Sequence, residues 1–193
     1  LVGQDMSTTD AIIDLTQKPE VPETHKVLTP GDGISEITFT NEHMENNAGS
    51  TLWQQSNWKD IMFDGLTSGE MAEFKWYFAK DDAEVMLPTD FNITLDGAHQ
   101  LTNVTIYGRD AAGNGSVKTS KLVAYNGDEI VYESGEVSGY TPVFEVNATV
   151  TKLVWTPLTA TGTATGTATG TEENRMLSLY EIVVEEDSAV EAT

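Results

Sequence analysis

The sequence predicts an all-β protein built as an antiparallel β-sandwich. Three observations predict it. Apolar and polar residues alternate in many short segments, Gly and Asn turn residues separate these segments, and no sustained 3.6-residue apolar period occurs after residue 34. Alternation is typical of a strand with one face on the core and the other in water. Jelly-roll and Greek-key sandwiches both fit the pattern, which does not choose between them.

The first part of the chain is less regular. Residues 1–33 are polar and contain Pro19, Pro22 and Pro30, so we expect a linker or a lead-in strand there. The first half-buried strand is predicted at residues 37–40. Residues 67–75 have room for one helical turn.

Seven further segments complete the predicted set of strands. An Asn126-Gly127 turn joins the third and fourth of them, which predicts a hairpin. The segments are residues 91–95, 101–107, 122–125, 129–133, 143–146, 150–155 and 177–184.

The C-terminal part of the chain contains one low-complexity segment. Residues 159–170 are three copies of Thr-Ala-Thr-Gly, which we predict to be an exposed loop between two strands. The small, acidic tail is expected to be a linker from residue 187 to 193, so the sandwich is predicted to span residues 34–186. The chain starts at Leu1 without Met or a signal peptide, and we therefore expect a piece of a larger protein.

The charge of the chain limits its partners. The 193 residues include 31 Asp and Glu but only 10 Lys and Arg, which gives a net charge of −21. Such a surface repels phosphate backbones and anionic lipids, so the charge excludes nucleic acid and membrane insertion as main activities. It suits solubility and hard cations, Ca²⁺ above all. The chain has no Cys, which excludes disulfides and thiolate chemistry; an extracellular chain of this kind is more typical of bacteria.

Five motifs, in order, resemble those of discoidin-like (factor V/VIII C-type) domains, including family 32 carbohydrate-binding modules. Residues 57–65 (NWKDIMFDG) are similar to the family's N-x-x-x-x-(L/A)-(F/I)-D-G element. Residues 91–97 (FNITLDG) resemble its W-I-x-I-D-L-G strand. The others are residues 104–115 (VTIYGRDAAGNG), 121–127 (KLVAYNG) and 179–184 (LYEIVV).

This resemblance implies a fold and a function. The family's fold is an antiparallel jelly roll, and its bacterial members are non-catalytic modules that bind terminal galactose or N-acetylhexosamines. It implies a monomeric, secreted or cell-surface module, bound to glycans and linked covalently to a catalytic domain, such as a glycoside hydrolase, or to an adhesin. Tethering of this kind raises the local substrate concentration for the linked domain.

The resemblance also implies a structural calcium ion. The family's D-G aspartate matches Asp64, and the glutamate of its closing strand matches Glu181. Backbone carbonyls and a loop Thr complete the family's site, and here Thr67 and Ser68 are the candidates to supply a hydroxyl or carbonyl oxygen. The family often has a polar residue where this chain has Leu66, and Gly69 stands roughly where the Thr ligand is expected.

For the sugar site, the resemblance implies Arg109 and Asn114, which match the family's R-x-x-x-x-N-G turn. A guanidinium fork and an amide together can read two neighbouring hydroxyl groups. The family's site His and its loop aromatic have no counterpart here. Trp76, Tyr77 and Tyr140 are therefore the candidate rings for stacking on the sugar's apolar face.

Two other functions stay open from the sequence. One is a protein- or surface-adhesion domain of the same fold that binds no sugar. The other is a small β-sandwich enzyme acting on glycans, a glycosidase or a lyase, which needs a pair of carboxylates roughly 5–9 Å apart or a cluster of His, Tyr and Arg. The acidic residues do not exclude such a pair, but no motif places one.

Overall fold

The computed structural model describes residues 25–40, 52–54, 57–76, 87–110, 115–161 and 176–187, with side chains undescribed at 52–54, 75 and 76. These residues form ten strands and one helical turn, which confirms the all-β prediction. The elements are β1 (His25–Pro30), β2 (Gly33–Phe39), β3 (Leu52–Gln54), α1 (Trp58–Met62), β4 (Ala72–Trp76), β5 (Phe91–Gly108), β6 (Val117–Asn126), β7 (Glu129–Glu133), β8 (Val137–Ser138), β9 (Val143–Ala160) and β10 (Met176–Asp187).

Hydrogen bonding links these strands in the order β3-β4-β10-β1-β2-β5-β9-β6-β7, and β8 also pairs with β6. A second contact joins β10 directly to β5. The pairs are antiparallel apart from the short contact between β1 and β2. In the described part of the chain, no helix is long and apolar enough to cross a membrane.

Two strands are longer than the sequence predicts. Residues 91–95 and 101–107 were expected as separate strands, but both belong to β5, whose pairing with β9 shifts register between Thr94 and His99. The same correction applies to residues 143–146 and 150–155, which are both part of β9. The turn residues Asp96 and Gly97 therefore produce a bulge, which bends a strand without ending its ladder.

The prediction of a helical turn within residues 67–75 is wrong. That region ends in β4, where the buried Ala72 and Phe74 alternate with more exposed residues and face β10. The helical turn lies earlier, at α1, which buries Ile61 and Met62 and packs on β4 and β10. Tertiary pairing with β10 therefore decides the structure of residues 72–75.

The predicted hairpin between β6 and β7 is confirmed. Asn126 pairs with Glu129, and Gly127 between them has a φ of 60°, a conformation that favours glycine. The repeat segment differs partly from its prediction, because Thr159 and Ala160 extend β9, where Ala160 is fully buried. The rest of the repeat beyond residue 161 lies outside the described residues.

Aromatic side chains form the centre of the core. Phe91 contacts Phe39 with ring centroids 4.7 Å apart and Trp155 with centroids 5.1 Å apart. Phe74 closes the group from β4. Phe74, Phe91 and Trp155 are all 0% exposed. Strand β4 therefore shares one core with β5 and β9, from which it is distant in the strand order.

The first and last described strands run side by side. β1 lies in the segment expected to be a linker or lead-in strand, and it pairs antiparallel with the end of β10. His25 faces Asp187, and Leu28 faces Val184. The described chain therefore starts and finishes at the same place on the fold.

Candidate functional site

The turn after β5 lies where three parts of the chain meet. Gly108 N–H donates to the carbonyl of Tyr140 at 2.9 Å, and Arg109 N–H donates to the carbonyl of Ser178 at 3.4 Å. A Cβ on residue 108 would collide with the Tyr140 carbonyl, so the close approach requires glycine. Arg109 is therefore held between the Tyr140 segment and the start of β10.

One buried residue closes this turn from both sides. Ser178 accepts a hydrogen bond from Arg109 N–H through its carbonyl, and its own N–H donates to the carbonyl of Gly115 at 3.0 Å. Gly115 has a φ of 79°, and a Cβ there would lie 2.8 Å from Ser178 N. Gly115 N–H also donates to Thr161 O at 2.7 Å. The turn's two ends are thus fixed by backbone contacts.

Only some of the predicted sugar-site residues can be placed. The structure places Tyr140 near the half-buried Arg109, because the preceding residue, Gly108, is hydrogen-bonded to the Tyr140 carbonyl. Asn114 and Tyr77 lie outside the described residues. Trp76 ends β4, paired with Leu52, but its side chain is outside the described set. We call the arrangement of Arg109, Tyr140, Ser178 and Gly115 the rim.

The two predicted calcium carboxylates are neighbours in the structure. Gly65 N–H donates to Glu181 Oε1 at 3.0 Å, which joins the loop after α1 to the middle of β10. Asp64 accepts a hydrogen bond on Oδ1 from Leu66 N–H at 2.7 Å, which turns the loop back on itself. The loop and the strand, 116 residues apart in sequence, therefore share one polar site.

Glu181 is the unusual member of this pair. The residue is 2% exposed, and its second oxygen, Oε2, has no hydrogen-bond partner among the described residues. Burial, together with the neighbouring Asp64 carboxylate, raises the pKa of Glu181 to about 7, against the opposing effect of the Gly65 N–H. A buried acceptor without a partner is costly, and a cation facing Oε2 would remove that cost.

Thr67 is not brought to the two carboxylates by any described hydrogen bond, and its side chain is exposed. Within the described residues, no group of three or more His, Asp or Glu side chains could hold a metal ion. Two carboxylates and backbone carbonyls are the donors that Ca²⁺ accepts, so the pair fits the ion as part of a mixed oxygen set.

Sequence reasoning missed a second polar cluster, centred on His99. Its Nε2 lies 2.6 Å from Asp96 Oδ1, and its Nδ1 lies 2.7 Å from Glu186 Oε1. Burial alone lowers the pKa of His99, but the two carboxylate hydrogen bonds outweigh it, and the net pKa is raised. The i, i+3 spacing of Asp96 and His99 was the available signal for half of the cluster.

Comparisons with known proteins agree with the fold. The family 32 module of NanJ from Clostridium perfringens, solved with galactose, aligns at a TM-score of 0.52 and 15% identity, over 84% of this chain and 99% of that one. A GH31 CBM32-2 module bound to GalNAc aligns at 0.51 and 22% identity, over 77% and 96%. CpGH89CBM32-5 from C. perfringens, in complex with GalNAc-β-1,3-galactose, aligns at 0.50 and 18%, over 82% and 99%.

No family model matches the chain. No curated protein matches it significantly either. The structural likeness extends over nearly the whole length of each module, and its low sequence identity makes it a likeness of fold. The chain therefore has the jelly-roll β-sandwich fold of family 32 carbohydrate-binding modules, as the five motifs predicted.

Proposed function

We propose that this protein is a non-catalytic carbohydrate-binding module that holds a terminal galactose or N-acetylhexosamine at the rim. The observation that carries the proposal is Arg109, the motif arginine, held by backbone hydrogen bonds at the end of β5 in a fold shared with modules solved with galactose and GalNAc. A guanidinium is suited to neighbouring hydroxyl groups, because its donors form a rigid fork.

The remaining members of the proposed sugar site complement Arg109. Asn114 supplies an amide from the same turn, which both donates and accepts hydrogen bonds. A ring among Trp76, Tyr77 and Tyr140 packs on the apolar face of the sugar. Of these three, Tyr140 is the one whose backbone belongs to the rim, through its hydrogen bond with Gly108. This position supports Tyr140 as the stacking residue.

We further propose that Asp64 and Glu181 hold a structural Ca²⁺ together with backbone carbonyls and Thr67. The buried, unpartnered Glu181 Oε2 supports this assignment, because a bound cation supplies the missing partner. When bound, the ion neutralises two carboxylates and ties the loop after α1 to β10. Its role is to stabilise the fold, and it performs no chemistry on the sugar.

The proposed setting is outside the cell. We infer a secreted or surface-attached bacterial protein in which this module is a monomeric appendage of a glycoside hydrolase or a similar enzyme. Within that setting, the lack of Cys favours a bacterial over an animal protein. In it, weak sugar binding keeps the linked enzyme close to its substrate.

The test is isothermal titration of the protein with galactose, GalNAc and GalNAc-β-1,3-galactose. We expect binding of at least one of these sugars. Arg109→Ala should weaken it at least about tenfold, since losing hydrogen bonds to a charged group typically costs 1.5–3 kcal/mol. Arg109→Lys should recover little, because an ammonium cannot reproduce the fork.

The matched control is Lys121→Ala, which removes one positive charge from an exposed position on β6. It should bind like the unmodified protein. No heat with any of the three sugars, or equal losses in the Arg109 and Lys121 variants, would overturn the proposal. Capture of a surface protein that free sugar does not displace would favour an adhesion domain instead.

A further inference from the structure

A second pocket lies away from the rim, between the end of β1 and α1. Thr29, Pro30, Lys59, Asp60 and Phe63 line it, and its volume is about 200 Å³. Sites for drug-sized ligands typically measure about 300–1,000 Å³, so this pocket suits one small chemical unit. It is open on one side to solvent, with Lys59, Asp60 and Pro30 exposed.

The polar groups of this pocket are available to a ligand. Within the described part of the chain, the Asp60 carboxylate and the Thr29 hydroxyl form no hydrogen bond or ion pair with another side chain. The Lys59 ammonium forms none either, but it makes a cation–π contact with the Trp58 ring, whose centre is 5.4 Å away. Both Lys59 and Asp60 belong to α1, whose inner residues Ile61 and Met62 are buried. The helix therefore presents an ammonium and a carboxylate on a fixed support.

The exposed lining of the pocket is mainly polar, with a small apolar part. Phe63 is half-buried and packs against the core, which fixes its backbone and ring on one side of the pocket. Pro30, at the end of β1, is a rigid ring. The two rings offer a small apolar contact, while most of the lining suits polar groups of a ligand.

The charges select the class of ligand. An anionic ligand is repelled by the Asp60 carboxylate and by the net charge of −21 on the molecule. A cationic ligand is repelled by the Lys59 ammonium. A purely apolar ligand would leave the ammonium, the carboxylate and the hydroxyl of Thr29 without partners, which is costly. A neutral polyhydroxyl ring avoids all three costs, because each hydroxyl group both donates and accepts.

The pocket and the rim are separate places on the fold. Arg109 is bonded to Ser178, whereas Leu28, next to Thr29, pairs with Val184. On its other side the pocket includes Phe63, two residues before Gly65, which bonds to Glu181. The pocket therefore lies three to six residues of β10 from Ser178, roughly 10–20 Å at about 3.3 Å per residue. The lining of the pocket and the rim have no residue in common.

We propose that this pocket is a second saccharide subsite, in which Asp60 and Lys59 bind the hydroxyl groups of one neutral sugar ring that lies beside Phe63. The subsite goes beyond the sugar site proposed at the rim and uses none of its residues. With both occupied, the module has two contacts for a branched or densely presented glycan. Two linked contacts raise the apparent affinity well above that of either.

The experiment is an NMR titration of the ¹⁵N-labelled protein with the methyl β-glycosides of galactose, glucose and N-acetylgalactosamine. We expect saturable shifts of the Lys59, Asp60 and Phe63 amides with at least one of them. Asp60→Ala should weaken binding at the pocket at least about tenfold, as the loss of a charge-assisted hydrogen bond predicts. Lys59→Ala should weaken it in the same direction, and neither should alter the shifts around Arg109.

Asp128→Ala is the matched control, since it removes an exposed carboxylate from the turn between β6 and β7. Lys59 and Asp60 are also exposed, so their variants should fold, which circular dichroism checks. Saturable sugar shifts confined to the rim, or pocket shifts unchanged in both α1 variants, would overturn the proposal. Pocket shifts without rim shifts would support the subsite and count against the proposed function at Arg109.

Discussion

Replacing Glu181 by Gln tests the calcium proposal, because it removes a charge and keeps the shape. The Gln carbonyl can still accept the Gly65 N–H bond that Glu181 Oε1 accepts. Without metal, burial and Asp64 raise the pKa of Glu181 to about 7 from its ordinary 4.5. The folded state then holds the proton more tightly than the unfolded state does. The contribution of Glu181 to the free energy of unfolding is therefore most favourable below pH 4.5 and declines as the pH rises to about 7.

The size of this effect follows from the pKa difference. A rise from 4.5 to about 7 corresponds, at 1.36 kcal/mol per pH unit, to roughly 3 kcal/mol of lost stability at pH 8. Glu181→Gln carries no such penalty. In a chelator at pH 8, the variant should therefore unfold at a higher urea concentration than the unmodified protein, although its buried amide retains part of the cost.

In the presence of calcium, the unmodified protein should become more stable than Glu181→Gln. At one hundred times its dissociation constant, a ligand that binds only the folded state adds about 2.7 kcal/mol. For a chain of this size, that corresponds to roughly 5–11 °C in Tm. The unmodified protein should gain this amount at pH 8, and Glu181→Gln should lose most of the gain, because a neutral amide is a much poorer Ca²⁺ ligand than a carboxylate.

The assay is thermal and urea unfolding at pH 5 and pH 8, in CaCl₂ and in EDTA. Glu36→Gln is the control, since it removes an exposed carboxylate from β2 and should respond to Ca²⁺ like the unmodified protein. Equal Ca²⁺ gains for Glu181→Gln and the unmodified protein would refute the assignment of Glu181 as a ligand. Metal-free protein that is as stable at pH 8 as at pH 5 would refute the pKa argument.

Three other changes should have measurable effects on stability. Gly108→Ala drives a methyl group into the facing backbone carbonyl and should cost roughly 1–3 kcal/mol in urea unfolding, whereas Gly97→Ala, with open space around it, should cost much less. His99 has a raised pKa, so its contribution is full below about pH 6.5 and is lost as the pH rises through the folded pKa. The stability gap between the unmodified protein and His99→Gln should therefore shrink from pH 6 to pH 9, and a constant gap would contradict this. Asp90→Ala removes the acceptor of the buried Thr156 hydroxyl, 2.7 Å away, and should cost about 1–3 kcal/mol, a loss that a Tm unchanged from that of the unmodified protein would disprove.

The fold class was predictable because one face of most strands is buried. At β5, Phe91, Ile93 and Leu95 are buried and alternate with half-exposed residues. This alternation of apolar and polar residues can be recognised in the amino-acid sequence itself. The continuation past Gly97 was not visible. It depends on pairing with β9, a partner that is distant in sequence and gives no local signal.

The candidate site was predictable only through motif resemblance. The sequence alternation does not say that Glu181 is buried or that Gly65 donates to it, because both facts arise when a loop and a strand 116 residues apart meet. The rim is similar, since Ser178 holds both ends of the turn from another strand. The lining of the second pocket has the same origin, because Thr29 and Lys59 meet only after folding.

The pairing of His25 with Asp187 has a consequence for how the domain is joined to other sequence. Incoming and outgoing polypeptide share one corner of the sandwich. Nine residues of β10 separate that corner from Ser178, a strand length of about 30 Å. Sequence that continues from β1 or β10 therefore leaves the described fold on the order of 30 Å from the strand position that bonds to Arg109.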